Sequence, residues 1–581
     1  MAAHRLSGSV GEAVSAVRPA AAQPTHEALP TVRRLIVFLL LFALMLIGAS
    51  GLAGLLDRLL SAGTALAGND VGGLARSLAF AVVGGSLAAV LWWTVWRRLS
   101  EEAERASLAW GLYVAGIYAV ALITFSTAFL GMGAQLVAGE SAQWRPALAT
   151  GIAWAGVWAW HRRMWLHPVK GPRRLSGVPT LVGSVFGLFL GAGGAATALS
   201  GLLGAALQVF AAAPSLGRPW WVSVIQSLVW TAGGGLAWWW HWIRGGGRLL
   251  TTGLANVAVA VFGVLGGCIL AISGAVTALF VLLRLVLDRT DPLNRILDPL
   301  GPALAAAAIG SIVWAYHTTL AERRSGQMRQ AARLLASGAA LAAAASGIGV
   351  IVNATLGLAE TTLAGTDTRT LLLGGISALA TGGPVWWRVW NPTGHPDGAV
   401  PDGGTPPSGK STSGRRIYLV AVFGLSAVVA LVTLLVIGYQ AFEYLLDGAG
   451  RGSLAGRVRA PLGLLVATGL VAGYHYGVWR RERAALPLGP PPPRRTIGHV
   501  ILVTGSDPAP LSRVISEASG ARITVWKRAD AGGTGSGEPG EPGQPDPGQL
   551  AKALAGVSGE RVLVVIGPDA RIEVVPLTAE E

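Results

Sequence analysis

Twelve apolar runs, each about 20 residues or longer, alternate with polar segments between residues 35 and 480. A run of about 20 apolar residues matches the hydrocarbon thickness of a bilayer. The pattern therefore predicts an all-α polytopic membrane bundle of about 12 transmembrane helices, whose first span follows Arg33 and Arg34. The predicted spans are 35–56, 77–97, 108–130, 147–165, 179–203, 221–243, 256–287, 302–320, 334–359, 371–390, 417–445 and 461–480.

A repeat underlies these runs. Every second run ends in an aromatic residue followed closely by basic residues, and we call these six residues the aromatic marks. The marks are Trp93, Trp160, Trp240, Tyr316, Trp387 and Tyr474. Their intervals are 67, 80, 76, 71 and 87 residues, so the period is near 76. A regular period of this kind indicates a repeat architecture, here six copies of a helical hairpin.

The distribution of charged residues predicts how the helices are oriented across the membrane. Between Arg33 and Arg495, the segments outside the hairpins, counted with the basic residues that end the preceding spans, carry 25 Lys+Arg and 7 Asp+Glu, a balance of +18. The loops inside the hairpins, counted with Arg284 and Glu443 at the adjoining span ends, carry 11 and 10, a balance of +1. Excess Lys and Arg marks cytoplasmic loops, so both termini are expected in the cytoplasm. This topology accounts for the net charge of +15, and no nucleic-acid partner is expected.

The marks themselves have a simple interpretation. Indole and phenol rings favour the headgroup level of a bilayer, so the six marks are expected to be interfacial anchors in a cytoplasmic aromatic belt. The lipid bilayer is then the first partner that the sequence predicts.

The residue after the mark is the candidate for chemistry. It is histidine in four units, at His161, His241, His317 and His475. Paired His side chains from neighbouring helices can hold haem. The other two units have Thr94 and Arg388 instead, which favours a structural role at the helix end, where the side chain meets carbonyls and headgroups. The sequence contains no HExxH or CxxC motif and no carboxylate cluster, and Cys268 is its single cysteine. We therefore expect no catalytic residue, no metal site and no cofactor.

The span interiors are rich in small residues and poor in charge. Gly183, Gly187 and Gly191 lie four apart on one helical face, which is typical of close helix packing. Arg284 and Glu443 lie only near the outer ends of their helices. Since ion-coupled transport usually needs ionisable groups at mid-membrane depth, the sequence argues against an ion-coupled transporter.

Composition also divides the chain into segments. A Pro/Gly/Ser-rich linker at 391–414 separates the fifth and sixth hairpins, and a Pro-rich linker at 484–495 follows the last span. The expected organisation is a disordered cytoplasmic tail (1–32), three pairs of hairpins (33–170, 171–330 and 331–483), and a small α/β domain (496–581) with a disordered loop at 530–548.

The C-terminal segment alternates strand and helix patterns. Strands are expected at His499–Thr504, Arg522–Lys527, Arg561–Ile566 and Arg571–Pro576, and helices at Ala509–Ser519 and Leu550–Val557. The turn Thr504–Pro508 joins a strand to a helix, where phosphates often bind. However, it lacks both glycine-rich nucleotide motifs, so a small interaction or structural domain is favoured over a nucleotide site.

The aromatic–His and Arg-Arg exits resemble a known family. The residues that carry the resemblance are Trp160-His161-Arg162-Arg163 and Tyr474-His475. They are similar to an uncharacterised bacterial family of multi-pass membrane domains, domain of unknown function 5671. The resemblance implies a four-span unit, hence three copies over about 33–483, an integral membrane location and no established activity.

Three functions stay open at this point. The favoured one is a non-enzymatic scaffold or sensor in a bacterial plasma membrane, with a cytoplasmic protein partner bound through 496–581. The second is a channel or carrier for a neutral or lipidic substrate, although six parallel hairpins do not indicate alternating access between inverted halves. The third is a haem protein that uses the repeated histidines.

Overall fold

The computed structural model describes residues 28–62, 70–140, 144–211, 218–358, 368–391, 410–446, 453–484, 497–505, 507–528, 546–555, 557, 559–567 and 570–577. The described helices up to residue 479 belong to one compact unit, and the C-terminal sheet belongs to another.

Long helices occupy all the segments predicted to span the membrane. They are α1 (Ala28–Ser61), α2 (Val71–Arg98), α3 (Leu108–Val137), α4 (Trp144–Trp165), α5 (Val178–Ala211), α6 (220–244), α7 (Gly253–Leu287), α8 (Leu300–Arg324), α9 (Gly326–Leu358), α10 (Thr368–Trp390), α11 (Lys410–Leu446) and α12 (Leu454–Ala484). Within them, α2, α6 and α7 each contain one π-helical segment, at Ala79–Gly84, Trp239–Arg244 and Val259–Leu265.

Nine of the described helices are long and apolar enough to cross a membrane, by length and composition. The three long helices outside this set are α4, α6 and α10. All three are rich in Trp, whose indole is only partly apolar. The apolar helices indicate a membrane protein, and the number of twelve spans stays a prediction.

Polar residues between the apolar runs cap several of these helices. Asp70 accepts a hydrogen bond from a backbone N–H at the start of α2, and Ser107 does so at the start of α3. Thr252 has the same role at α7. Each cap satisfies an N–H group that has no partner within the helix. The short polar loops therefore define where the helices begin.

Helix neighbours follow a pattern that recurs every four helices. Within α1–α4 the first helix packs against the fourth, and α5 packs against α8 in the same way. In α9–α12, a Cβ built on Gly349 of α9 would lie 3.1 Å from the carbonyl oxygen of Gly463 in α12. We call these groups the first, second and third four-helix units. Between units, the third helix of one packs against the second helix of the next, as α3 with α6 and α7 with α10.

Glycine permits the closest of these contacts, as the stripe on α5 shows. A Cβ at Gly187 would lie 2.7 Å from the Cα of Trp238 in α6, and a Cβ at Gly191 would lie 3.0 Å from the backbone nitrogen of Gly235. A side chain at either position would force the two backbones apart. The helices of this hairpin therefore pack backbone to backbone, as the spacing of the glycines predicts.

Some predicted boundaries differ from those of the structure. Helix α1 begins at Ala28, inside the predicted tail, and α11 begins at Lys410, inside the predicted linker. Residues 1–27, 392–409 and 485–496, which hold most of the tail and linkers, lie outside the described residues, as do 529–545 of the predicted disordered loop.

The C-terminal unit contains a four-stranded sheet in the order β2-β1-β3-β4. Its elements are β1 (Ile497–Thr504), α13 (Pro508–Ser519), β2 (Arg522–Lys527), α14 (Pro547–Leu554), β3 (Gly559–Ile566) and β4 (Ile572–Leu577). Strand β1 is parallel to β2 and β3, and β3 is antiparallel to β4. The predicted order of strands and helices is confirmed, although α14 begins three residues before the predicted helix.

Both helices of this unit cover the same face of the sheet. Leu511 and Ile515 of α13 pack with Leu550 and Leu554 of α14 in one core. The same core contains Val500, Leu502, Val562, Val564 and Ile566 from the two central strands. Because side chains alternate along a strand, the residues between these point to the opposite face.

Candidate functional site: three Trp–His clusters

The second helix of each four-helix unit carries two Trp residues four positions apart. The pairs are Trp92 and Trp96 in α2, Trp238 and Trp242 in α6, and Trp386 and Trp390 in α10. Residues at this spacing lie on the same face of a helix, so each pair presents two indoles to the same neighbour.

That neighbour is the fourth helix of the same unit, at the mark and the following histidine. The first indole of each pair lies 5.3–6.2 Å, centroid to centroid, from the mark, in the contacts Trp92–Trp160, Trp238–Tyr316 and Trp386–Tyr474. A Trp of the pair also lies 5.9–6.3 Å from the histidine ring, in the contacts Trp92–His161, Trp242–His317 and Trp390–His475. We call these three groups the Trp–His clusters.

Two of the clusters contain the same type of hydrogen bond. The indole N–H of Trp242 donates to the Tyr316 hydroxyl at 2.8 Å, and that of Trp390 donates to the Tyr474 hydroxyl at 2.9 Å. The first unit has Trp160 at the mark, which has no hydroxyl, and this bond is therefore absent there. The second and third clusters thus have the same chemistry.

All four histidines after the marks are buried and share one backbone contact. Each Nδ1 lies 2.7–2.8 Å from the carbonyl oxygen four residues earlier, on Val157, Ala237, Val313 and Val471. A carbonyl only accepts, so Nδ1 carries the hydrogen and Nε2 of the neutral ring is left with a lone pair. The sequence predicted that these side chains meet carbonyls and headgroups. Each ring does meet a backbone carbonyl, and it is buried between helices.

The Nε2 atoms differ in their partners. The Tyr113 hydroxyl donates to Nε2 of His161 at 3.1 Å, and the Tyr118 hydroxyl donates to Nε2 of His241 at 2.8 Å. The second bond joins α3 of the first unit to α6 of the second. His475 is 0% exposed and its Nε2 has no hydrogen-bond partner, so it leaves a buried acceptor unsatisfied.

His317 packs closely against a glycine, as His241 does against Gly183. A Cβ built on Gly263 of α7 would overlap the imidazole of His317 and would lie 2.8 Å from its Cβ. The ring also lines a cavity of about 20 Å³ together with Ser184 and Phe262. A volume of this size accommodates one water molecule.

The six aromatic marks all have exposed side chains. This holds even for Tyr316 and Tyr474, whose hydroxyls accept the indole hydrogen bonds. Outward-facing rings are what an interfacial belt requires, and the belt itself stays a prediction.

The two ionisable residues noted near the outer helix ends have partners. Arg284 at the end of α7 pairs with Asp291 at 2.7 Å and with Asp288 at 3.5 Å, and Glu443 pairs with Arg457 at 3.4 Å. These contacts account for the charges at the helix ends.

Asp288 lies buried in the loop after α7 and connects two units. Burial alone would raise the pKa of its carboxyl, but hydrogen bonds from Thr290 and Thr370, with Arg284 nearby, hold the pKa below its ordinary value. Because Thr370 belongs to α10, this carboxylate ties the second unit to the third.

Among the described residues, metal binding has no cluster to support it, and anion binding at the turn before α13 has little support. No group of three His, Cys, Asp or Glu side chains among them lies close enough to hold a metal ion. At the turn that precedes α13, the Asp507 carboxylate accepts from the N–H of Ala509 at 3.1 Å. This carboxylate takes the place at the helix start that a phosphate would fill.

Comparison with known proteins finds one family model that matches two segments of the chain. Residues 34–165 and 330–470 match the model of the domain of unknown function DUF5671. Neither a curated protein nor a solved structure matches the chain. The first match covers nearly all of the first four-helix unit, the second covers most of the third, and residues 166–329 lie between them. The chain therefore contains two copies of the domain of unknown function DUF5671.

Proposed function

We propose that the chain is a bacterial plasma-membrane protein of twelve spans, built from three copies of a four-helix unit, with both termini in the cytoplasm. The middle unit is the copy that the family model leaves out. Its Trp238–Trp242 pair, its contact with His317 and its packing of α5 against α8 repeat those of the flanking units. The exposed marks and the basic exits support the cytoplasmic orientation.

We further propose that it is a non-enzymatic scaffold or sensor whose C-terminal domain binds a cytoplasmic protein. One observation carries this proposal: the sheet face that α13 and α14 leave uncovered is apolar at its centre. Ile501, Val503, Leu563 and Val565 lie half-buried at its centre, and Trp526, 59% exposed, lies beside Val503. Exposed Trp next to aliphatic side chains is typical of the anchor of a protein interface.

The test is in-cell cross-linking of the full-length protein, followed by identification of the cross-linked species. The Trp526→Glu variant places a charge at the edge of the apolar face. The matched control is Glu517→Ala, an exposed change on α13, which lies on the covered side. We expect one defined protein adduct with the wild type and with the control, and its loss with Trp526→Glu.

A chain truncated after residue 495 provides the stricter comparison. If the truncated protein forms every adduct that the full-length protein forms, the C-terminal domain is not the binding module. If Trp526→Glu keeps the adduct while truncation removes it, the domain binds its partner through another face.

A haem protein is the second candidate, and His475 is the observation that favours it. Its Nδ1 is held by a backbone carbonyl and its Nε2 lone pair is buried and unused, which is the arrangement of a ligating imidazole. Nε2 would hold the iron, and haem would supply electron-transfer chemistry. Full-length protein expressed with haem available should then show a Soret band that His475→Ala removes and His499→Ala keeps. A preparation without a Soret band would dismiss this candidate.

A further inference from the structure

A groove of about 690 Å³ opens where α4 ends in the first four-helix unit. It is lined by Trp158, Ala159, Trp160, Arg162, Arg163, Met164, Leu166, His167 and Pro168. The lining combines aromatic and aliphatic side chains with cationic ones and contains no carboxylate. Its volume lies in the range of small-molecule sites, about 300–1,000 Å³.

Two arginines supply the positive charge. The guanidinium carbon of Arg162 lies 5.7 Å from the ring centroid of Trp158 and 5.3 Å from that of Trp240 in the second unit. Arg163 is exposed at the rim. Within the described part of the chain, no acidic side chain forms an ion pair with either arginine, so both guanidinium groups keep donors for an anion.

His167 adds a third donor. Its Nδ1 accepts hydrogen bonds from the backbone N–H groups of Val169 and Lys170, at 3.2 and 3.0 Å. Nδ1 is thus an acceptor, and the neutral ring carries its hydrogen on Nε2. Arg162, Arg163 and His167 together offer only donors, which suits a phosphate oxygen.

Other arginines at the same exits are used differently. Arg324 at the end of α8 donates to the Asn256 side chain and to the backbone carbonyl of Arg248. Arg97 at the end of α2 lies 3.7 Å above the Trp93 ring and is not part of this groove. The end of α4 therefore differs from these two helix ends.

We infer that this groove binds the phosphate headgroup of an anionic phospholipid. Guanidinium groups bind phosphate with paired, charge-assisted hydrogen bonds. Basic residues at the cytoplasmic end of a membrane helix suit anionic headgroups, and Trp158 and Trp160 would lie beside the upper acyl chains. Because Trp240 closes one side of Arg162, the lipid joins the first unit to the second. The inference rests on the proposed membrane location and not on the C-terminal partner.

The test is native mass spectrometry of the full-length protein, titrated in detergent with phosphatidylglycerol, with phosphatidylcholine, or with inorganic phosphate. We expect the wild type to retain phosphatidylglycerol at concentrations where phosphatidylcholine is lost. The double variant Arg162→Gln/Arg163→Gln should weaken that binding by about tenfold or more. Arg97→Gln is the matched control, since it removes an arginine from an equivalent exit, and should bind as the wild type does.

Arg163→Gln alone is the second variant, because this exposed side chain is not needed for folding, and it should weaken binding several-fold. Phosphatidylglycerol binding that is equal in the wild type and both groove variants would overturn the inference. Inorganic phosphate that binds as tightly as phosphatidylglycerol would also overturn it, because the ligand would then be a soluble anion. Trp526→Glu should leave lipid binding unchanged, so failure of the proposed partner and failure of this site are separate results.

Discussion

The substitution Gly187→Ala should weaken the packing of α5 against α6. A Cβ at this position would overlap the backbone nitrogen of Trp238 and would lie 2.7 Å from its Cα. Ordinary contacts of a Cβ begin at 3.4 Å. Since the atoms it meets belong to backbone, no side-chain rotation relieves the overlap, and the two helices must separate by about 1 Å.

The magnitude follows from two opposing terms. Overpacking of this kind costs about 1–3 kcal/mol. Replacing glycine by alanine within a helix recovers about 0.5–1 kcal/mol. The net expectation is a loss of roughly 0–2.5 kcal/mol in the free energy of unfolding. Gly193 lies on the same helix, and a Cβ added there would have nothing within 4 Å, so Gly193→Ala should be neutral or stabilising.

Unfolding of the purified protein by sodium dodecyl sulfate in mixed micelles, followed by Trp fluorescence, measures this difference. We expect Gly187→Ala to be less stable than Gly193→Ala by about 1–3 kcal/mol. Equal stability, or a more stable Gly187→Ala, would refute the claim that backbone contact at Gly187 holds the hairpin together.

The same unfolding assay tests three further expectations. Tyr118→Phe leaves Nε2 of His241 buried without its donor, and should cost about 1–3 kcal/mol; an unchanged midpoint would contradict the bridge between the first two units. Trp242→Phe and Trp390→Phe each remove one indole hydrogen bond from equivalent clusters. Both should therefore lower the free energy of unfolding by a similar amount, about 1 kcal/mol or more. A loss of stability in only one of the two variants would contradict the equivalence of the units. The folded pKa of Asp288 lies below its ordinary value of 3.8, so its contribution is present above that pH and is lost as the pH falls through the folded pKa. The stability gap between the wild type and Asp288→Asn should therefore narrow below about pH 4, and a gap that widens in acid would contradict the assignment.

Hydrophobic patterning predicts the helices well, because a span needs about 20 apolar residues and little else. The limits of α3 and α7 differ from the predicted spans by only a few residues at most ends. The pattern does not predict which residues of different helices contact one another. The contact of the Trp386–Trp390 pair with Tyr474 joins residues more than 80 positions apart, and periodicity within one helix carries no information on such pairs.

The burial of the histidines was likewise not predicted from the sequence pattern. Their position next to exposed marks suggested a headgroup environment, yet one residue along a helix turns the side chain by about 100°. Trp160 is therefore exposed while His161 is buried. A signal was present in the sequence: every fourth helix, starting with α2, carries a Trp pair four residues apart, which indicates a four-helix period in addition to the two-helix one, although α4 carries such a pair (Trp154 and Trp158) as well. Likewise, the strand order of the C-terminal sheet depends on long-range pairing that the local pattern does not contain.

The membrane topology of α4, α6 and α10 is the central claim, because these three helices decide between nine and twelve spans. Single cysteines in a Cys268→Ala background, reacted with a membrane-impermeant maleimide in intact and in permeabilised cells, test each helix from both ends. For each helix, one cysteine is placed before its start and one after its end. We expect the first to be labelled in intact cells and the second to be labelled only after permeabilisation. A pair labelled on the same side would show that its helix does not span the membrane and would contradict the three-unit architecture. The pairs are Ser141→Cys and Ser176→Cys, Ser215→Cys and Thr251→Cys, and Thr366→Cys and Ser408→Cys.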